Sequence, residues 1–385
     1  MGGRVGAIVA SAGVCSRLTG PVRARSLAFT AAVLAGIALS LPPSVAAASV
    51  RPEFFGIVQG PRLDGQDQQT MFATRVRMVR LLLRWGAVQP AQGSFDWSQT
   101  DQLIGGLASH GIRSFPFIWG SPDWVAGSPA KPPIASDDAK QAWRDFLRAA
   151  VDRYGRGGTY WAGDYLQQFP GATPLPIQAW QVWNEPNLAK FFAPKPSARK
   201  YGRLLRISQR PIEAGDPDAR IILAGMPGYG GRQAGNPLAW RFLHHLYELH
   251  GIKKVFDGTA LNPYARNLDE LRDQVKKFRA AMRKSRDGRT PLWLTEIGWG
   301  SGAANPFGLN KGLLGQRRLL KRSFELVLRH RRVWNVRRLF WYDWRDPAPG
   351  SNFGNCSFCS TAGLLRYDRD PKPAYDAFTR FTGAG

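Results

Sequence analysis

Residues 177–187 read IQAWQVWNEPN, an apolar run that ends in Glu185 and a following proline. Residues 292–299 read LWLTEIGW, a second apolar run that ends in a glutamate, Glu296. Surface glutamates usually stand among other charges, whereas both of these stand among tryptophan, proline and glycine. A short apolar run bounded by turn residues is typical of a buried strand. The sequence therefore predicts two buried strands, each with a carboxylate at its C-terminal end.

Six further runs of the same kind alternate with amphipathic stretches. The eight strand candidates cover residues 54–58, 78–83, 112–118, 177–182, 221–224, 258–261, 292–295 and 336–342. Helical patterns cover residues 137–154, 197–215, 238–251, 268–286 and 312–330, with Ser136 and Ser197 as candidate N-caps. Strands that alternate with helices indicate a parallel sheet, and eight of them in about 330 residues indicate a closed barrel. We therefore predict an α/β chain that forms a single (β/α)8 TIM barrel.

The first 48 residues differ from the rest. Four arginines precede an uncharged apolar run at 26–41, which is followed by two prolines and by Ala46 to Ala48. A basic region, an apolar region and small residues, in that order, are typical of a secretory signal. We expect cleavage after Ala48, a secreted catalytic domain at residues 49–385 and no membrane span in it. An uncleaved anchor is the alternative, although the run is short for a span of about 20 residues.

The composition, with 44% hydrophobic and 21% charged residues, is that of a globular protein. The formal net charge is +25, and the basic residues are spread over many helical segments without one dense tract. This spread favours a general arginine-rich bias, with attraction to an acidic polymer as the alternative. No zinc-finger, basic-zipper or RNA-binding signature is present, so we expect no nucleic-acid partner.

Two cysteines remain after the predicted cleavage, Cys356 and Cys359, in a loop rich in glycine, serine and asparagine. In an exported protein this spacing favours a local disulfide. A zinc site needs two more ligands, and none stands nearby in the sequence. The neighbouring His244 and His245 lack the His-Glu-x-x-His pattern of a metalloprotease. We therefore expect neither a metal nor another cofactor.

The two strand-end glutamates carry the chemistry. In a barrel of this type the active site lies at the C-terminal ends of the strands. Glu185 ends the fourth candidate and Glu296 the seventh, so the two carboxylates can face each other across the barrel mouth. Two carboxylates about 5–5.5 Å apart can break a glycosidic bond, one as nucleophile and the other as acid and then base. No Gly-x-Ser-x-Gly motif is present, which disfavours a serine esterase.

With these motifs the chain resembles the clan A retaining glycoside hydrolases over almost all of residues 49–385. Residues 183–188 (WNEPNL) resemble family 39, and residues 295–299 (TEIGW) resemble family 5. The resemblance implies that Glu185 is the acid/base, that Glu296 is the nucleophile and that the substrate is an oligo- or polysaccharide. It also implies that Asn184 bonds the sugar 2-hydroxyl, that Arg80 steadies the nucleophile, and that Tyr264 donates a hydrogen bond to it.

Three further residues are substrate-binding candidates. By the same resemblance Trp341 is the tryptophan on which the sugar at the cleavage point stacks. Asn262 stands where these families often carry a histidine before Pro-Tyr, and it is either structural or a substrate contact. Trp299 follows a predicted strand end, where an aromatic ring either forms a sugar platform or packs in the core.

These observations together predict a secreted retaining glycosidase that works by double displacement. Two alternatives use the same barrel. One is a non-catalytic protein that binds a cell-wall glycan, and the other is a transglycosylase that uses the same two glutamates.

Overall fold

A computed structural model describes residues 50–60, 63–228, 235–306, 308–351 and 356–384. The segment Ser49–Gly385 forms one compact unit. The expected secretory signal, residues 1–48, lies outside the described residues. The signal and the domain boundary at residue 49 therefore stay predictions.

Nine parallel strands form one curled sheet. They are β1 (Phe55–Val58), β2 (Met78–Arg84), β3 (Arg113–Trp119), β4 (Ala179–Val182), β5 (Arg220–Leu223), β6 (Met226–Pro227), β7 (Thr259–Asn262), β8 (Leu292–Ile297) and β9 (Val336–Trp341). The eight strands predicted from the sequence are confirmed, each within two residues of its predicted bounds. The additional short strand β6 continues the line of β5 after a break at Ala224 and Gly225.

The strand order is β5-β4-β3-β2-β1-β9-β8-β7-β6. Ile222 of β5, at one end of this order, forms a parallel bridge with Gly258, the residue before β7 near the other end. The amide of Leu223 also donates to the carbonyl of Gly258 at 2.9 Å. The curled parallel sheet is consistent with the TIM-barrel fold that the sequence predicts.

Helices follow most of the strands. They are α1 (Gly65–Ala73), α2 (Trp85–Val88), α3 (Ser98–Ser109), α4 (Asp123–Ala126), α5 (Asp137–Tyr154), α6 (Thr159–Ala162), α7 (Asp164–Gln168), α8 (Ala198–Gly215), α9 (Ala239–Tyr247), α10 (Leu268–Lys284), α11 (Gly312–His330) and α12 (Pro373–Thr382). Ser136 and Ser197 cap α5 and α8, since each hydroxyl accepts a backbone N–H three residues on. None of the helices in the described part of the chain is long and apolar enough to cross a membrane.

Side chains alternate between the two faces of the sheet, as the strand period requires. One buried cluster fills the inside of the curl: Val58, Met78, Phe115, Ala179, Ile222, Ala260, Trp293 and Phe340. A larger cluster lies between the strands and the helices. Polar side chains on the inner face stand above the inner cluster, at the C-terminal ends of the strands, and the candidate site is built there.

The segment after β9 is fastened to α1 by a buried ion pair. Nε and Nη2 of Arg345 donate to the carboxylate of Asp67 at 3.0 and 2.8 Å, and Trp344 donates to the same carboxylate at 3.2 Å. Both partners are buried. Removal of Asp67 leaves the buried guanidinium of Arg345 with only the more distant carboxylate of Asp64, 3.9 Å away.

We therefore expect Asp67→Ala to lower the free energy of unfolding by about 3–5 kcal/mol, measured by denaturant titration. Asp137→Ala is the control, because Asp137 pairs with Lys140 on an exposed helix surface. It should leave the unfolding midpoint nearly unchanged. Equal effects of the two changes would show that the Asp67 pair contributes no more than a surface pair.

Candidate active site

Arg80 stands on the inner face of β2 and is fully buried. Its Nη1 donates to Oε1 of Glu296 at 2.6 Å, its Nη2 to Oδ1 of Asn184 at 3.0 Å, and its Nε to Oε1 of Gln181 at 2.7 Å. The guanidinium also lies 4.0 Å from the ring centre of Phe117. A planar guanidinium presents its donors in a fixed geometry, so Arg80 joins the ends of β2, β4 and β8.

Glu296 is held at both oxygens. Arg80 bonds Oε1, and the hydroxyl of Tyr264 donates to Oε2 at 2.5 Å. Burial and the charge of Glu296 hold the pKa of Tyr264 well above its ordinary value, so this hydroxyl keeps its proton and remains a donor. Arg80 and Tyr264 thus lie where the sequence placed them, against the predicted nucleophile.

Glu185 follows β4 in a left-handed backbone conformation, with φ at 42°. Its backbone N–H donates to the carbonyl of Gly225 at 3.1 Å. Oε1 accepts a bond from Nδ2 of Asn262 at 3.0 Å. Burial, followed by the charge of Glu296, raises the pKa of Glu185 to about 8. The carboxyl group therefore keeps its proton at a pH where an exposed glutamate has lost it.

Asn262 is completely buried and positions Glu185. While Nδ2 bonds the carboxyl group, Oδ1 accepts the hydroxyl of Thr295 at 2.6 Å. Gly225 lies directly against this pair, since a Cβ there would stand 2.3 Å from Oδ1 of Asn262. Of the two alternatives for Asn262, these contacts support the structural one.

The prediction of Trp341 as the sugar platform is wrong, and of the two alternatives for Trp299 the structure supports packing in the core. Both side chains are fully buried in the cluster between the strands and the helices. The rings lie 6.1 Å apart, and that of Trp341 lies 6.4 Å from Phe324 of α11. Nε1 of Trp299 donates to the carbonyl of Ala265 at 2.6 Å. Because side chains alternate along β9 and Phe340 faces inward, Trp341 must face the helices.

Tyr342 is the aromatic residue that faces inward at the end of β9. Its ring centre lies 6.1 Å from that of Tyr264 and 6.0 Å from that of Phe358. Burial and the neighbouring carboxylates raise the pKa of Tyr342 well above its ordinary value. Phe358 stands inside the loop that a disulfide between Cys356 and Cys359 closes. Tyr264, Tyr342 and Phe358 form an aromatic wall beside Glu296.

Sequence reasoning missed three residues of this site, Gln181, Thr295 and Tyr342. A signal existed for two of them. Gln181 is a polar residue on the inner face of a buried strand, four positions before Glu185, and Tyr342 stands two positions after the inward Phe340. Thr295 stands two positions after the inward Trp293, but strict alternation would then turn Glu296 outward, and the register shift of β8 against β9 between Leu294 and Ile297 has no signal in the sequence.

The described residues contain no group of three or more His, Cys, Asp or Glu side chains that could hold a metal ion. What the site does contain is two buried carboxyl groups in unlike surroundings. One is held by a guanidinium and a hydroxyl, and the other has a raised pKa. Such a difference lets one group act as a nucleophile and the other as an acid.

No protein-family model matches the chain. A beta-xylosidase from Geobacillus stearothermophilus is 23% identical over 261 residues, which cover 63% of this chain and 46% of that protein. The chain thus spans less than half the length of this curated relative.

Two solved structures share the fold. A family 39 glycoside hydrolase from Bacteroides cellulosilyticus WH2 matches with a TM-score of 0.62 and 21% identity, over 87% of this chain and 65% of the other. A GH5_18 protein from Streptomyces cattleya in complex with GlcNAc matches with a TM-score of 0.63 and 17% identity, over 87% and 80%. The chain therefore shares the fold of a family 39 and of a GH5_18 structure, the two families that its glutamate motifs resemble.

Proposed function

We propose that the chain is a secreted retaining glycoside hydrolase on a single closed (β/α)8 barrel. The observation that carries this proposal is the contrast between Glu185, whose pKa is raised, and Glu296, which Arg80 and Tyr264 hold by both oxygens. The bridge between Ile222 and Gly258 supports closure of the barrel. The composition of residues 1–48 supports secretion.

In the first step Glu296 attacks the anomeric carbon while Glu185 gives its proton to the leaving oxygen, which forms a glycosyl ester on Glu296. In the second step Glu185 takes a proton from water, and the water oxygen displaces Glu296. The sugar leaves with its original anomeric configuration. Oδ1 of Asn184 is occupied by Arg80, so its Nδ2 remains as a donor for the sugar 2-hydroxyl.

The substrate is an oligo- or polysaccharide. The relatives support this, since one is named a beta-xylosidase and another was solved with GlcNAc bound. A non-catalytic glycan-binding barrel does not need an acid with a raised pKa beside a second carboxylate, so the geometry favours catalysis. A transglycosylase would use the same residues, and product analysis at high acceptor concentration separates it from a hydrolase.

Glu296→Ala should abolish turnover, because it removes the nucleophile. Glu185→Ala should slow poor leaving groups by about 10²–10⁴-fold and activated aryl glycosides far less. Added azide should restore turnover in both variants. With Glu185→Ala the azide intercepts the glycosyl ester and gives a glycosyl azide of retained configuration, whereas with Glu296→Ala it displaces the leaving group directly and gives the inverted product. The opposite assignment of products, read by proton NMR, would exchange the roles of the two residues.

The pH dependence of kcat/KM tests the acid. Because Glu185 must be protonated and its pKa is raised, activity on poor leaving groups should persist through neutral pH and fall as the pH rises through about 8. The amide of Asn262 favours the charged form of Glu185, so Asn262→Ala should move this alkaline limb to higher pH.

Asn187→Ala is the matched control for the pH experiment. Its amide bonds the carbonyls of Pro227 and Pro237 and does not bond Glu185. The alkaline limb should stay in place in this variant. A limb that is the same in both variants and in the parent would mean that Glu185 is not the titrating acid.

Matched substitutions at two neighbouring positions test the aromatic wall. Tyr342→Leu should raise KM about tenfold by removing a cleft contact, with kcat much less affected. Trp341→Leu should leave KM nearly unchanged and lower the free energy of unfolding by about 2 kcal/mol or more, because it opens a cavity in the core. Steady-state kinetics and denaturant titration measure both. A raised KM for Trp341→Leu together with an unchanged KM for Tyr342→Leu would instead support Trp341 as the sugar platform.

A further inference from the structure

The opposite end of the barrel from the two glutamates carries inward-facing arginines. Arg113, Arg220 and Arg338 stand at or near the start of β3, β5 and β9. Each precedes by two positions a residue of the inner cluster, namely Phe115, Ile222 and Phe340. Since alternate residues of a strand face the same side, the three guanidinium groups lie below the inner cluster, at the N-terminal opening. The corresponding layers of such barrels are usually filled by branched apolar side chains.

These arginines form a cluster with Arg51 and Glu53, which we name the floor cluster. Glu53 lies 3.8 Å from Nε of Arg113, and it is the only carboxylate among the described residues within 4.0 Å of any of the four guanidinium groups. Burial lowers the pKa of Arg338. The charge of Glu53 opposes this shift, and the charges of Arg51, Arg220 and Arg113 add smaller lowering effects. Four positive charges thus face one negative charge.

The guanidinium group of Arg338 also has a donor without a hydrogen-bond partner among the described residues. Its Nη1 donates to the carbonyl of Arg337 at 2.9 Å, and the guanidinium lies 5.5 Å from the ring centre of Trp293. Its Nε is buried and has no hydrogen-bond partner among the described residues. A buried donor without a partner is uncommon in proteins and indicates a place for a bound ion or water.

A cavity of about 400 Å³ adjoins the floor cluster through Arg51. Arg75 and Arg77 also line it, together with apolar side chains, and no carboxylate does. Nη1 of Arg75 donates to the carbonyl of Gly383 at 2.5 Å. The apolar lining includes Phe55 and Phe381. The cavity and the floor cluster therefore form one basic face that also offers apolar contact area.

We propose that this basic face is an accessory site for an acidic polysaccharide, whose carboxylates pair with the guanidinium groups. Arginine binds carboxylates through two parallel N–H donors, and the arginines are spread over three strands and a cavity, which suits repeated carboxylates better than a single anion. Aromatic and proline side chains in the cavity suit the apolar faces of sugar rings. The choice of a glycan over another polyanion rests on the proposed function. The face lies at the other end of the strands from Glu185 and Glu296, so binding leaves the cleft free.

The test measures binding of polygalacturonate by calorimetry, with Glu296→Gln as the parent so that no turnover interferes. Arg51→Gln combined with Arg220→Gln removes two exposed charges of the face and should weaken binding by about tenfold or more. Arg317→Gln combined with Arg318→Gln is the matched control, because it removes two exposed charges from α11. The control should bind within about twofold of the parent. Equal weakening in both would overturn the proposal.

Glu53→Gln should change the affinity for polygalacturonate in the direction opposite to that of the arginine substitutions. It removes the one carboxylate of the floor cluster, so it should tighten binding of polygalacturonate. If the double arginine variant does not fold, this variant alone tests the accessory site. Duplex DNA and neutral xylan are the comparison polymers. DNA that binds as tightly as polygalacturonate, with the same response to the variants, would show a general attraction to polyanions and overturn the choice of a glycan.

Turnover separates this inference from the proposed function. Hydrolysis of a neutral aryl glycoside should be unchanged by the two arginine substitutions in a protein that retains Glu296. A protein that binds polygalacturonate at the face yet cleaves no glycoside would refute the proposed function alone. An active glycosidase that binds polygalacturonate equally well with and without the two arginine substitutions would refute the accessory site alone.

Discussion

The guanidinium group of Arg80 is the interaction on which the active centre depends. It is buried without access to water, and its charge is matched by the carboxylate of Glu296. Its other donors are taken by Asn184 and Gln181, which stand more than a hundred positions further along the chain. A buried charge that loses a partner is costly, so these contacts stabilise one arrangement of the strand ends. The contacts that orient the carboxylate of Glu296 therefore also hold the ends of three strands in position.

The two carboxyl groups owe their different chemistry to their supports. Glu296 receives a cationic donor at one oxygen and a hydroxyl at the other, whereas Glu185 receives one neutral amide and lies beside a like charge. Asn262 and Tyr264 belong to the same short stretch at the end of β7, and each serves one carboxyl group. A displacement of that stretch would disturb both carboxyl groups together.

Much of this architecture could be predicted from the sequence, because strand periodicity and turn residues are local signals. The eight strands, Glu185 and Glu296 at their ends, and the contacts of Arg80 and Tyr264 follow from such signals and from the resemblance. Trp341 could not be placed correctly from the motif alone, since one position in a strand reverses the face that a side chain occupies. The role of Asn262 depends on its distance to Glu185, which only the folded chain supplies.

The clustering of the arginines at one end of the sheet also has no local signal in the sequence. Along the chain they are spread over many segments, yet the fold gathers Arg113, Arg220 and Arg338 at one end, because parallel strands start at one edge of a sheet.

Phe117, whose ring lies against Arg80, stands four positions after Arg113, so the inner cluster keeps that end about 13 Å from the carboxylates, at roughly 3.3 Å per residue. A polymer segment held at the floor is thus too far away to be the segment in the cleft. Tethering would raise the local concentration of neighbouring segments instead, so the catalyst would work through the material around its anchor point.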